Sequence, residues 1–443
     1  MKKKIGFISL GCAKNLTDTE TMLSLVCDGG MEVVANPEDA DIIVVNTCAF
    51  IDSAKSESIE AILEMAQYKK NADSVLVVTG CLAQRYKEQI ITELPEVDIV
   101  LGTNDYNKIL SAVNKFYTDG VKVCDVSDAD AHITEYIPRV LSTPSYSAYI
   151  KIADGCDNFC TYCIIPKLRG KYRSRPMAEI LDEAESLASS GVKELILVAQ
   201  DTAYYGRDGG DNNLCQLLKG LSAIDGIEWI RLQYCYPENI TDELIEEIAS
   251  NKKIVKYIDM PLQHISDNVL KRMGRRSRRA EVEKLISSLR TAVPDIAIRT
   301  SIIVGFPGET EDDFEQLRDF LQKFRLDRVG VFTYSREEDT PAYTMPDQIE
   351  DSVKEERLSV LMEQQQRISN ELNSEKIGRV VQAIAEGYDE ANFCYVGRSF
   401  ADTPDVDGIT YIYSSDELSA GDIVNIKIVD AHEYDITGEV VEG

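Results

Sequence analysis

Four short apolar runs near the start of the chain constrain its fold more than any other feature. Ile5–Leu10, Ile42–Asn46, Val75–Thr79 and Val97–Leu101 are rich in β-branched residues, as suits parallel strands buried on both faces. Helical stretches such as Thr19–Cys27 and Ser53–Tyr68 lie between them. The alternation predicts a small doubly wound α/β domain over residues 1–125. At 443 residues the chain is too long for one core, and a prior of about 150 residues per domain suggests roughly three.

Residues 126–146 are polar and irregular, with Pro138 and Pro144, and read as a linker. From 147 to 372 strand patterns return at a longer period, beginning near Ser147, Glu194, Trp229, Lys256, Ala297 and Arg328. Helical patterns at Met177–Ser189, Asp242–Ser250 and Thr310–Lys323 fall between them. Six βα units suit an incomplete parallel (βα)6 barrel better than a closed eight-fold one. A polar helix, Ile349–Leu372, is expected to lead out of it. Residues 373–443 change character: Val380–Ile384, Ile409–Ile412 and Ile423–Ile428 read as strands, with turns at Asp407-Gly408 and Ala420-Gly421-Asp422. A small antiparallel β-barrel is expected there. It is acidic, with four Lys or Arg against fifteen Asp or Glu from Ser374 to Gly443.

Eleven cysteines in a chain of this size need not be disulfide staples, and clustered ones point to metal binding or chemistry. Cys12, Cys48 and Cys81 each follow a strand candidate by one or two residues. The carboxyl ends of parallel strands share one edge, the edge at which such sheets bind ligands. One such thiol would read as core filling. Three at equivalent positions read as the ligands of a 4Fe-4S cluster with one open iron, and Gly11 and Gly80 let the backbone turn closely around it. Cys27, Cys124, Cys215, Cys235 and Cys394 lack this placement and read as packing residues, Cys235 least clearly because it too lies just past a strand.

A second set, Cys156-Asp157-Asn158-Phe159-Cys160-Thr161-Tyr162-Cys163, follows the first barrel strand. CxxxCxxC spacing puts three thiolates on one compact loop, able to hold three irons of a cubane. A zinc knuckle would need a fourth ligand, and no histidine lies nearby. Histidines stand only at 132, 264 and 432, and Walker A, GxGxxG and HExxH patterns are absent.

Cys156 to Cys163 resembles the signature of radical S-adenosylmethionine (SAM) enzymes, which also use a six-unit barrel. Cys12, Cys48 and Cys81 ahead of it, and a TRAM-like β-domain behind, resemble the methylthiotransferase family. Ser9-Leu10-Gly11-Cys12-Ala13-Lys14-Asn15, Ile164-Ile165-Pro166-Lys167-Leu168-Arg169-Gly170 and Pro261-Leu262-Gln263-His264 are most similar to its RimO branch. At Thr17-Asp18-Thr19-Glu20 the usual branch pattern has valine and serine in place of the two threonines. The resemblance spans essentially the whole chain. It implies two 4Fe-4S clusters and SAM as cofactors. It also implies sulfur insertion and methylation at the β-carbon of an aspartate of small-subunit ribosomal protein S-twelve. The implied electron donor is a protein such as flavodoxin or ferredoxin. Tyr162, Gln200 and Arg299 are candidate cofactor contacts, the last two also readable as ordinary barrel-lining residues. His264 follows a strand and reads more naturally as structural than as substrate-facing. Val304-Gly305-Phe306-Pro307-Gly308 is a tight loop before a helix capped by Thr310 and Asp313.

The formal net charge of −29 repels phosphate backbones, favours a basic partner, and makes tRNA the poorer substrate class. An acidic terminal β-domain points the same way, since an RNA-binding version would be basic. Two local runs oppose this charge. Lys167, Arg169, Lys171, Arg173 and Arg175 follow the second cysteine loop; Lys271, Arg272, Arg275, Arg276, Arg278 and Arg279 form the other. Such runs are ordinarily solvated faces. Because the first adjoins the cysteine loop, one of Arg169, Arg173 and Arg175 is expected to hold the substrate carboxylate. The rivals are a tRNA methylthiotransferase with the same clusters and a non-catalytic iron–sulfur carrier. Met1-Lys2-Lys3-Lys4 and the apolar stretch after it are too short for an export signal, and no run reaches membrane-span length, so a cytoplasmic location without membrane contact is expected.

Overall fold

Strand residues of the amino-terminal sheet sort by parity into two cores. In the computed structural model, which describes residues 2–70, 73–131, 138–209 and 213–441, Ile43, Val45, Leu76, Val78 and Val100 pack on one face. Ile42, Val44, Val75, Val77, Ile99 and Leu101 pack on the other. Burial of both faces leaves no polar positions to alternate with, which is why these strands read as unbroken apolar runs. All pairings are parallel, in the order Glu32–Val33, Lys4–Ser9, Ile42–Thr47, Val75–Gly80, Ile99–Leu101, Val123–Asp125. The two outermost strands are short and were not expected. The order reverses between Lys4–Ser9 and Ile42–Thr47, and the crevice at such a switch point is the ligand site of doubly wound sheets. Ser9 aligns with Asn46, and Asn46 with Thr79, so the three following loops emerge level with one another.

The central sheet is open and parallel, with six strands in sequence order: Ser147–Lys151, Glu194–Val198, Trp229–Leu232, Ile254–Asp259, Ala297–Val304 and Arg328–Thr333. The fourth starts two residues before its expected place. Leu195, Leu197, Ile230, Leu232, Ile258 and Ile298 face outward and share a core with helix residues Ile180, Leu217, Ile245, Ile286 and Leu317. The intervening residues face the barrel interior and mix apolar Trp229, Tyr257 and Ala297 with buried charged Glu194, Arg231, Asp259 and Arg328. Helices Met177–Ser189 and Asp242–Ser250 form where expected. Glu311–Phe324 starts behind the Thr310 cap, and the exit helix spans Asp351–Ser374.

The carboxyl-terminal strands Val380–Asp389, Cys394–Ser399, Thr410–Tyr413, Ile423–Ala431 and Ile436–Val440 close into a barrel. It is not wholly antiparallel: Thr410–Tyr413 pairs with Ile436–Val440 in parallel. Five strands in a ring cannot alternate direction throughout, so one parallel pair is obligatory.

This barrel plugs the amino-end mouth of the central sheet. Arg231 donates to the Phe400 carbonyl at 2.8 Å, Arg328 pairs with Asp402 at 2.6 Å, and Arg299 meets Asp407 at 3.4 Å. At the centre Glu194, fully buried, accepts from Arg231 Nε at 2.9 Å and from Arg398 Nη1 at 3.0 Å. Burial pushes its carboxyl up, but Arg398 and Arg231 outweigh this and bring it down to about 2. A folded-state pKa below the unfolded value of about 4.3 stabilises above that value and is lost as pH falls through the lower one. Glu194→Gln is therefore expected to cost about 3–5 kcal/mol at pH 7, because it leaves buried Arg231 with no carboxylate and Arg398 with Glu386 alone, at 2.8 Å. In urea unfolding the deficit should shrink below about pH 4; a pH-independent deficit would rule the ion pairs out as its cause.

At the opposite mouth lies the amino-terminal domain, held by Lys55 and Arg85 on Glu337 at 2.9 and 3.2 Å. The described part of the expected linker is a strap: Arg139 joins Glu20 of the first helix, Ala13–Asp28, to Glu183 of the barrel. His132, with the rest of 132–137, lies outside the described residues. Among the described residues no helix is long and apolar enough to cross a membrane.

Candidate active site

Cys12 caps the first helix, Cys48 follows its strand directly, and Cys81 begins the short helix Cys81–Tyr86. The glycines are dictated by space as well as by conformation. Gly11 has φ +90°, and a Cβ there would lie 2.9 Å from Cys48 Cβ. Gly80, also at φ +90°, would drive a Cβ to 2.6 Å from the Thr47 carbonyl oxygen. Asn15, one turn into the first helix, ties the three loops together. Its Nδ2 donates to the carbonyls of Leu10 and Thr47, each at 3.0 Å, and its Oδ1 accepts from Arg169 Nη2 at 2.6 Å with Cys81 Sγ 3.9 Å away. Burial raises all three thiols. At Cys12 the charges of Lys14 and Arg169 and the amides of Asn15 and Lys14 reverse this and lower it. Cys81, opposed mainly by Arg169, is pushed up to about 12.

The second loop is packed as closely. A Cβ on Gly155 (φ +79°) would meet the Lys171 carbonyl oxygen at 1.9 Å. Cys156 N–H donates to the Gly170 carbonyl at 3.0 Å, and Cys163 N–H to that of Cys160 at 3.0 Å. Asn158 Nδ2 reaches Cys156 Sγ at 3.6 Å and Asp201 at 3.1 Å; Cys160 Sγ stands 3.7 Å from the Tyr236 hydroxyl. Burial raises Cys156 to about 11. Within each set the thiols act on one another electrostatically. Among the described residues no three Cys, His, Asp or Glu side chains converge on a single ion. One zinc would require sulfurs about 3.8 Å apart, whereas thiolates on separate corners of a cubane stand wider.

Around the second set several buried polar atoms have no partner: Tyr162 Oη, Gln200 Oε1, and Nε and Nη1 of Arg275. Buried polar groups are rarely left unpaired, so these atoms can take hydrogen bonds from, or give them to, a polar molecule beside the loop. With two thiol triads and this lining, the residues present fit both clusters and SAM. The aromatic row Tyr162, Phe306 and Tyr334 supplies edge-to-face walls at 6.4 and 5.2 Å, Phe306 coming from the tight loop after the fifth strand. Arg299, by contrast, spends its guanidinium on Asp259 at 3.1 Å and on Asp407.

The two sets meet through one guanidinium. Arg169 is 1% exposed; its Nη1 pairs with Asp154 at 2.9 Å and its Nη2 with Asp18 at 3.1 Å. Asp154 stands two residues before Cys156 and takes a further bond from Gln200 at 3.0 Å. Lys14, two residues after Cys12, lies 3.7 Å over the Tyr234 ring with Nζ 3.5 Å from the Ala199 carbonyl at a barrel strand end. Of the other expected arginines, Arg175 turns away to Glu183 at 2.7 Å. Arg173 caps the carbonyls of Lys171 and Arg169, with Asp130 at 4.0 Å. His264 is fully buried, its Nδ1 accepting from Ser266 N–H at 3.0 Å, and burial lowers it to about 3, as a structural imidazole. Cys215, Cys235 and Cys394 are buried, but Cys27 is exposed on the last turn of the first helix. Sequence reasoning missed Lys14, Asn15, Asp18, Asp154, Tyr236 and the inward turn of Arg275. Lys14 and Asn15 lie in the RimO-like run 9–15 and Asp18 in the segment after it, but neither those patterns nor nearness to a cysteine assigned them a role.

Three family descriptions match in succession: Uncharacterized protein family UPF0004 over residues 4–102, Radical SAM superfamily over 150–321, and TRAM domain over 377–441. Relatives match over their full length. The ribosomal protein uS12 methylthiotransferase RimO of Acetivibrio thermocellus is 51% identical, covering 100% of this chain and 99% of its own. That of Lachnoclostridium phytofermentans is 52% identical, covering 98% and 99%. The chain belongs to the RimO family. Its departures from the RimO pattern are accommodated: Thr17 donates to the Lys14 carbonyl at 2.8 Å, and Thr19 to Ser9 Oγ at 2.9 Å, as a serine hydroxyl would. Among solved structures, the radical S-adenosylmethionine methyltransferase TsrM from Kitasatospora setae, with cobalamin and a [4Fe-4S] cluster bound, superposes with a TM-score of 0.58. It covers 77% of each chain at 15% identity, a likeness of fold alone.

Proposed function

We infer that the chain is a radical-SAM methylthiotransferase that converts an aspartate of ribosomal protein uS12 to 3-methylthioaspartate in the cytoplasm. The observation that carries this reading is the Arg169 bridge between two thiol triads at one barrel mouth. When bound, a cluster on Cys156, Cys160 and Cys163 supplies reductive cleavage of SAM, and one on Cys12, Cys48 and Cys81 supplies sulfur. Tyr162, Gln200 and Arg275 offer SAM their unpaired buried atoms. Lys14 and Tyr234 close the gap between the domains and keep water from the mouth. Of the three candidate arginines, Arg173 is the one whose only carboxylate ion pair among the described residues, with Asp130, is stretched to 4.0 Å, so it is the least committed and is assigned to the target carboxylate. An acidic terminal barrel suits a basic ribosomal protein better than tRNA. The electron comes from a flavodoxin- or ferredoxin-like protein.

Anaerobically reconstituted protein should be incubated with reductant, SAM, small ribosomal subunits and tRNA, and the products weighed by mass spectrometry. A gain of one methylthio group on uS12 is expected; a gain on tRNA alone would overturn the substrate assignment. Arg173→Gln should abolish this gain yet spare release of 5′-deoxyadenosine. Modification at the wild-type rate would remove Arg173 from the substrate site.

A further inference from the structure

The second basic run divides by direction. Arg275 turns inward, stacked 4.1 Å over Tyr236, while Lys271, Gly274 and Arg276 are exposed. This turn packs directly on the cysteine loop. Thr161 N–H donates to the Met273 carbonyl at 2.9 Å, Thr161 Oγ1 to the Arg272 carbonyl at 2.8 Å, and a Cβ on Gly274 would lie 3.4 Å from the Phe159 carbonyl oxygen. Beside it Phe159, the residue before Cys160, is 64% exposed with φ +49°. A large apolar side chain held outward on the cysteine loop, with exposed Lys271 and Arg276 on the turn packed against that loop, is the composition of a contact surface.

The charges are free to act outward. Among the described residues, the side chains of Lys271 and Arg276 have no hydrogen bond or ion pair. Of the acids near this turn, Asp347 pairs with Arg272 at 3.7 Å, while Asp267 and Glu281 cap the backbone N–H groups of Arg279 and Arg278 at 2.8 and 2.9 Å, leaving Lys271 and Arg276 unpaired. A positive island on a chain of net charge −29 selects an acidic partner and orients it, since the rest of the surface repels it.

We propose that Phe159, Lys271 and Arg276 form the docking surface for a small acidic electron-carrier protein that reduces the cluster held by Cys156, Cys160 and Cys163. This rests on the radical-SAM reading above. One electron leaves the carrier's flavin or iron–sulfur centre and enters the cluster, which passes from the 2+ to the 1+ state; no bond is made or broken. Phe159 excludes water at the point of contact, and the two cations set the approach.

The test uses the reconstituted holoenzyme, with reduced flavodoxin and reduced plant-type ferredoxin as probes in separate arms and dithionite as the small-molecule control. Cluster reduction is followed by stopped-flow absorbance and by the spin signal of the 1+ state. Lys271→Glu with Arg276→Glu should slow reduction by at least one carrier about 10- to 100-fold at low salt and flatten the salt dependence. The Gln pair should fall between, and the dithionite rate should stay unchanged in both. Equal rates for wild type and the Glu pair with both carriers would overturn the proposal. So would a variant that weakens only binding to ribosomal subunits, which would make the patch an RNA contact. Failure of dithionite-reduced wild type to cleave SAM would instead defeat the radical-SAM reading.

Discussion

Alanine at Cys12, Cys48 and Cys81 together is expected to halve bound iron, from about eight to about four per chain, and to abolish the methylthio product. Cleavage of SAM under dithionite should persist within a few-fold of wild type. The asymmetry follows from placement: these thiols close the amino-terminal sheet, whereas Tyr162, Gln200 and Arg275 surround the other loop. Alanine at Cys156, Cys160 and Cys163 should cause the same loss of iron yet end cleavage altogether. Each truncation removes only one small, buried or half-buried thiol, worth about 1 kcal/mol, so the fold survives either set. Iron analysis, spin resonance and mass detection of 5′-deoxyadenosine and of modified uS12 separate the outcomes. Methylthiolated uS12 from the first triple variant would refute the assignment of sulfur to that site.

The second large effect is expected at Arg169. Arg169→Gln strands Asp18 and Asp154 between two domains, with Lys151 left as their cation, 3.4 Å from Asp154. Breaking a buried pair in this way costs about 3–5 kcal/mol. Lysine should recover only part, because one ammonium nitrogen lacks the fork that places Nη1 on Asp154 and Nη2 on Asn15 and Asp18. Burial raises the Asp154 carboxyl, but Arg169, Lys151 and Arg173 together hold it well below the usual range. The contribution is therefore present above the unfolded value of about 3.9 and is lost as pH falls beneath it. Thermal unfolding of R169Q should show a full deficit at pH 7 that narrows below about pH 4. Adding D18N and D154N should restore part of the loss; strictly additive losses would mean that the three residues do not form one network.

Legibility from sequence followed the physics of each element. Val75–Gly80 could be read because burial on both faces leaves a plain apolar signal. Glu32–Val33 and Val123–Asp125 were missed because two or three residues at a sheet edge carry no period. In the terminal barrel, Cys394–Ser399 and Ile436–Val440 are interrupted by glycine and polar residues, and their pairing is decided by closure of the ring, not by local preference.

The candidate site divides along the same line. The six cysteines stand out as candidates because a thiol two residues past a strand, or three in CxxxCxxC, carries its own geometric meaning. Asp18 and Arg169 could not, since charges on a helix and after a loop read as solvated faces until a second domain covers them. Arg275 and Arg276 are neighbours in one basic run, yet one is buried over Tyr236 and the other meets solvent.

By itself, then, the sequence determined the repeating strand–helix order and the positions of the thiols along it, because both are local patterns set by backbone periodicity. Tertiary structure alone decided which charges became buried partners, since desolvation depends on what packs above a residue and not on its neighbours in the chain.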